Sequence, residues 1–433
     1  MVIMSNGFTA HPPPSPRDAD HPASARLALP ELLAPAGDME KLDAALRYGA
    51  NAVYLGGRGP NLRAGAQGFS PDELPQAVRR AHAVNAHVYY CLNSLPHQRH
   101  LRDVEAAMEE AHAAGVDALI VADPGVARMA RRRAPNLPLH VSTQANTANA
   151  EAALFWQDMG ATRVNMAREL DLNGIRALVR ACPGVEFEAF VHGAMCLAVS
   201  GHCLLSAWMN NRPANLGQCT HPCRFEYMGM ALAVEEKTRP GEIAWEAVQD
   251  GPFHSSFWAP NDLCLVKYVR WFAAVGVAAL KIEGRVKSAG YVAQVTDAYR
   301  TALDDLTRRT FRHEDYLYEL LNTASRPLST GFFLPGGKRL NRGLPHDAMR
   351  RPVVARIEQP ADNAAWHVSV RAPWRAEKPL ELLLPGLHRP ELQPGDFRLE
   401  NHKGETVDRL HPGMAGVLHC AHEGLAPGLF VRA

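Results

Sequence analysis

The sequence carries almost no net charge: 46 Lys and Arg against 45 Asp and Glu leave +1. Nothing global therefore attracts nucleic acid, and any RNA contact must come from a local patch. Long apolar runs are also missing, and none approaches the ~18 residues of a membrane span. The opening stretch MVIMSNGFTAHPPPSPRDADHPASA has no apolar core of a secretory signal, and its Pro, Ser, Asp and His content predicts a disordered tail over 1–29. There is no HExxH, GxSxG or P-loop lysine motif, which weakens hydrolase and nucleotide-hydrolysing readings. A repeat of solenoid length is absent too.

What is present is an ordinary globular composition, 47% hydrophobic and 21% charged over 433 residues, enough for two domains. Eight cysteines in a long chain without a signal argue for a reducing compartment, the cytoplasm, where clustered cysteines serve metals or redox chemistry more often than disulfides.

From Glu31 short apolar runs alternate with amphipathic stretches, the βα rhythm of a parallel sheet. ELLAPAG, NAVYLGG, HVYYCLN, ALIVAD, LPLHVSTQA, TRVNMAREL, VEFEAFVHG and VAALKIEGR give eight predicted strands. Eight βα units over 30–308, with an insertion at 196–260, predict a TIM-like (β/α)8 barrel. An open doubly wound sheet is the alternative, but no Gly-rich dinucleotide fingerprint follows the first strand. The stretch 309–350 is rich in Gly, Pro and Arg and is expected to be a linker. Alternation from 351 to 433 predicts a small all-β domain, a barrel of about six strands.

In a barrel the C-terminal strand ends converge on one mouth. Asn93, Asp123, Ser142, Thr143, Gln144, Arg168, Glu169, His192, Glu283 and Arg285 fall there. The insertion leaves the same mouth and holds Cys196, Cys203, Cys219 and Cys223 in the spacing C-x6-C-x15-C-x3-C, with Gly193, Gly201 and Gly217 ahead of the cysteines. Four thiolates complete the ligand set of a 4Fe–4S cluster or a structural zinc; the absence of paired C-x2-C knuckles favours iron–sulfur. Cys264 is either a substitute ligand or a packed residue on an apolar helix face.

Glu283 reads as a general acid or base, or as half of an ion pair closing the barrel. His192 reads as a proton carrier or as a buried structural histidine. Arg168 and Arg285, with Arg63 behind them, suit a small anionic substrate. The amides of Asn93 and Gln144 suit hydrogen bonds to a substrate or base edge. Arg131, Arg132 and Arg133 read as a solvated helix end, and Lys338, Arg339, Arg342, Arg350 and Arg351 as phosphate contacts. Trp208 and Arg212 are placed to stack on a base.

EAFVHGAMCLAVSGHCLLS, together with ELLAPAGDMEKLDAALRYGANAVYLGG, HVSTQANTAN, LKIEGRVKS and YVAQVTDAYR, resembles the collagenase-like peptidases, family thirty-two of the unassigned peptidases. CTHPCRFEY and EEKTRPGE are most similar to the branch of that family that hydroxylates tRNA. The resemblance implies oxygen-independent formation of 5-hydroxyuridine at the tRNA wobble position, an iron–sulfur cluster on Cys196, Cys203, Cys219 and Cys223, and prephenate as hydroxyl source. It also leaves open a ribosomal-RNA hydroxylase, the family's namesake metal-dependent peptidase activity and a non-catalytic RNA-binding role. Cys264 departs from the tRNA-hydroxylating pattern.

Overall fold

The computed structural model describes residues 28–59, 68–196, 198–225, 260–334, 340, 351–362 and 364–433, with two short backbone strands at Ala233–Glu235 and Ile243–Glu246. Arg63, Lys338, Arg339, Arg342 and Arg350 lie outside the described residues.

Eight parallel strands close on themselves: β1 (Glu31–Pro35), β2 (Ala52–Leu55), β3 (His87–Leu92), β4 (Ala118–Val121), β5 (Leu139–Val141), β6 (Ala161–Asn165), β7 (Glu186–Gly193) and β8 (Ala279–Ile282). Strand β8 pairs with both β1 and β7, which completes the TIM-like barrel. The connecting helices begin at polar caps that also end the strand loops. Asp38, Asp123, Asn149, Asp171 and Ser288 each accept a backbone N–H of the turn they open. Asp123 is thereby committed to its helix, accepting from Val126 N at 3.0 Å.

Apolar side chains divide into two clusters. A small one, Leu33, Ala52, Tyr54, Tyr89, Cys91, Ala118 and Ile120, lies inside the barrel. The large one fills the space between strands and helices and runs on into the C-terminal sheet. Below the small cluster the barrel is corked by charge. Arg163 bridges Glu31 at 2.6 Å and Glu186 at 2.8 Å, and the Tyr89 hydroxyl donates to Glu31 at 2.8 Å. Lys281 meets Glu188 at 2.7 Å within the same interior.

Sequence and structure part company at two elements before the C-terminal sheet. The helix expected from Leu263 begins only at Val269; Asp262–Cys264 is a strand that runs antiparallel to β7 and parallel to Leu328–Ser329. Within the expected linker, His313–Thr323 is a helix that buries Tyr316, Glu319 and Leu320. The expected C-terminal strands form, joined by short ones, as an eight-stranded antiparallel sheet from Glu391–Leu392 to Thr406–Val407; no pairing among the described residues joins its two edges. Arg432 clasps this sheet to the barrel, donating to Glu381, to Gln294 at 2.7 Å and to Glu319 at 2.9 Å. Arg389 adds Asp297 at 2.6 Å and Glu319 at 2.9 Å.

Candidate functional site

Strand alternation builds the mouth. Leu92, Val121, Val141 and Val164 belong to the outer cluster and sit level with one another in register. Their successors Asn93, Ala122, Ser142 and Asn165 therefore turn toward the barrel axis. Asn93 Nδ2 donates to Ser142 Oγ at 3.3 Å. Asn165 is fully buried, yet neither its Oδ1 nor its Nδ2 has a partner among the described residues, and the same holds for Asn93 Oδ1, Gln144 Oε1 and Arg168 Nε.

A buried polar atom left unpaired costs on the order of 1–3 kcal/mol, so such atoms gathered at one end of a barrel mark where a polar ligand or water completes them. Asn165 escaped the sequence reading. The signal was there in ATRVN, where Arg163 and Asn165 share the inward face. Asn165→Leu is expected to stabilise the fold by about 1 kcal/mol in chemical denaturation while weakening binding at the mouth.

Arg168 and Glu283 come together, Nη2 to Oε2 at 3.4 Å, both side chains almost fully buried. The guanidinium lies 4.0 Å over the Phe190 ring and also donates to Ala194 O at 3.1 Å. Glu169 accepts from Ser200 N at 2.6 Å and Ser200 Oγ at 2.7 Å, so it pins the cysteine loop. Thr143 donates to Met166 O at 3.0 Å, a structural role. Arg285 is buried at the end of β8, its carbonyl packed against Gly37. The arginine run meets partners of the fold: Arg131 donates to Leu137 O, and Arg133 pairs with Glu105. Arg351 pairs with Glu391 at 2.8 Å.

His192 is placed differently from a proton carrier at the mouth. It is buried edge-on against Tyr299 of the long helix Ala289–Arg308, and burial, with the Lys287 charge second, drops its pKa from 6.5 to about 3. The unfolded chain binds that proton below about 6.5 and the folded chain only near 3. Stability should therefore fall as pH drops through this window, by about 1.4 kcal/mol per unit from this group, and His192→Phe should flatten the slope in denaturation measured against pH.

The cysteine loop leaves β7 at Gly193, whose φ of +105° no other residue adopts easily; a Cβ there would meet Glu283 O at 2.6 Å. The loop is tied down along its inner side. His202 Nε2 meets Gln144 O at 2.6 Å, Leu95 N donates to Asn215 O at 3.1 Å, and Arg224 donates to Met195 O at 3.2 Å. Ser206 is fully buried and accepts from Thr220 N at 3.0 Å.

Cys196, Cys203, Cys219 and Cys223 all lie on this tied loop, and all are half-buried. The Cys223 thiol is pushed up by burial first, and each of the other three sulfurs adds to that rise while Arg224 opposes it. Among the described residues no three His, Cys, Asp or Glu side chains gather around the position of a single ion. Cys264 stands apart on its strand, bonded to Tyr299, and burial lifts its thiol to about 11.

Residues 37–341 match the model of peptidase family U32. The chain belongs to that family. The U32 match takes in the barrel from the loop after β1, together with the cysteine loop, so every candidate residue of the mouth and the loop falls inside it. Among U32 relatives, tRNA hydroxylation protein P1 of Bacillus subtilis is 37% identical over 307 residues, covering 70% of this chain and 71% of its own length. The 23S rRNA 5-hydroxycytidine C2501 synthase of Escherichia coli is 34% identical over 279 residues, 63% of this chain and 39% of that protein. A protein named collagenase from Porphyromonas gingivalis is 30% identical over 324 residues, 72% and 74% of the two chains. No helix among the described residues of the U32 chain is long and apolar enough to cross a membrane.

Proposed function

We propose that this U32 chain is an RNA hydroxylase that acts on tRNA, forming 5-hydroxyuridine at the wobble position, with a 4Fe–4S cluster on Cys196, Cys203, Cys219 and Cys223 and prephenate as the small anionic hydroxyl source. The observation that carries the reading is the four-cysteine loop tied by Glu169 and Gln144 to the rim of a polar mouth that also holds the Arg168–Glu283 pair. The relatives named for tRNA and rRNA hydroxylation support the same class.

The proposed donor set is all sulfur, four half-buried thiols of one loop, which as thiolates suit an iron–sulfur centre. Bound there, such a centre supplies one-electron transfer. The chain's own groups do the rest. Arg168 and Arg285 hold the carboxylates of the small acid, and the amides of Asn93, Gln144 and Asn165 orient what enters. Glu283, held by Arg168, is the carboxylate placed to move a proton. Glu283→Gln is expected to lower hydroxylation about a hundredfold in single-turnover assays.

Nucleoside analysis of tRNA tests the function. A strain lacking the gene should lose 5-hydroxyuridine and regain it when the chain is supplied; unchanged 5-hydroxyuridine in the deletion strain overturns the reading. Gelatin cleavage that survives Cys196→Ala would assign the collagenase-type activity instead.

A further inference from the structure

The outer side of the cysteine loop is as unusual as its inner side. The helix Leu205–Asn210 buries Ser206 completely, but Trp208 is 82% exposed and Leu204, one turn earlier with its carbonyl accepting from Trp208 N, is 77% exposed. Val199 and Phe225 on flanking turns are exposed as well. An indole almost wholly in water is rare on a folded surface, and apolar side chains gathered this way mark a binding face. The helix is not frayed. Ser206 is locked to Thr220, Asn210 Nδ2 donates to Thr220 Oγ1 at 2.6 Å, and Cys203 Sγ accepts from Leu205 N at 3.4 Å.

Charge narrows the partner. From Phe190 to Phe225 there is no Asp or Glu, against Arg212 and Arg224. A flat aromatic face set in a segment of one sign, with no acid to repel phosphate, is the pattern that holds unpaired nucleotides: bases stack on the ring while the backbone meets the cations.

We propose that Trp208, backed by Leu204 and flanked by Arg212, is a stacking platform for an unpaired base of an RNA loop, holding the loop over the barrel mouth. This deepens the reading of the chain as an RNA-modifying enzyme and rests on it. Trp208 touches no reacting atom; it is a positioning residue that acts through the RNA.

The test uses the full chain and a synthetic RNA hairpin with a seven-nucleotide unpaired loop, set beside the same stem closed as a blunt duplex. Fluorescence anisotropy is expected to show the hairpin bound more tightly than the duplex. Trp208→Ala should weaken hairpin binding about tenfold or more. Trp208→Phe should keep most of the affinity, and duplex binding should not change in either variant. Arg212→Ala should reduce the salt dependence of hairpin binding. Equal hairpin affinity for Trp208→Ala and the parent overturns the proposal and leaves this face to a protein partner, as does equal binding of hairpin and duplex by the parent. Failure of the broader reading looks different: the parent then restores no 5-hydroxyuridine in the deletion strain, whatever the hairpin measurement gives.

Discussion

Alanine at any one of Cys196, Cys203, Cys219 or Cys223 should strip the anaerobically purified protein of its brown colour and most of its iron, whereas Cys264→Ala should leave both intact. The parent should carry about four irons per chain. The reason for the contrast is position. The four loop thiols are half-buried on one loop, while Cys264 is fully enclosed on its strand, where burial lifts its thiol to about 11. A thiol held protonated is a poor ligand, because metals bind the thiolate. The loop also explains why one missing sulfur should cost so much. Its backbone is fixed from inside by Ser206, Asn215 and Glu169, so a neighbouring group has little freedom to swing in as a replacement. Iron and sulfide analysis with visible spectroscopy on the five variants reads the outcome. Colourless parent protein with one zinc per chain, or equal iron loss in Cys264→Ala, would remove the cluster assignment.

The second large effect lies away from the mouth. Arg432→Ala is expected to destabilise the protein by about 3–5 kcal/mol, the range for breaking a buried ion pair from one side. Arg432 is fully buried and serves Glu381, Glu319 and Gln294 at once. Its removal leaves two buried carboxylates, with Arg389 still reaching Glu319 at 2.9 Å and Arg351 reaching Glu381 only at 3.8 Å. Arg432→Lys should recover part of the loss, because one ammonium cannot match the forked donors of a guanidinium. Urea denaturation followed by circular dichroism measures it. A change below about 1 kcal/mol would mean that this network is solvated like an ordinary surface pair. Since the clasp joins the C-terminal sheet to helices of the barrel, a partly unfolded state with the sheet released is the expected intermediate, seen as early loss of protection in Phe430–Arg432 by hydrogen exchange.

The barrel could be read from the sequence because its eight strands are short apolar runs alternating with helical stretches, several of them opened by a polar cap. The pairing of β8 with β7 and β1 confirms that rhythm. The cysteine group was visible in spacing alone, and the structure places all four, half-buried, on one loop tied to the mouth. Other features needed three dimensions. DLCLVKYV carries both a strand pattern and a helix pattern, and only pairing with β7 at Gly193 and His192 decides for strand over Asp262–Cys264. The helix His313–Thr323 was hidden by the Gly- and Pro-rich stretch that follows it. His192 and Asn165 show the limit most clearly. Both lie in predicted strands and carry polar side chains, yet one is enclosed by tyrosines and the other sits in the mouth with no partner among the described residues. Neither outcome is encoded in the residues next to it.

The charged cork formed by Glu31, Arg163 and Glu186 has a kinetic corollary. With one end of the barrel filled, the mouth is the open end of the barrel among the described residues. A macromolecule seated across that doorway imprisons whatever small molecule arrived beneath it and bars any that comes later. Turnover should therefore follow a compulsory order, small acid first and RNA second, with release in reverse, and excess RNA should inhibit by occupying the doorway before the acid is aboard.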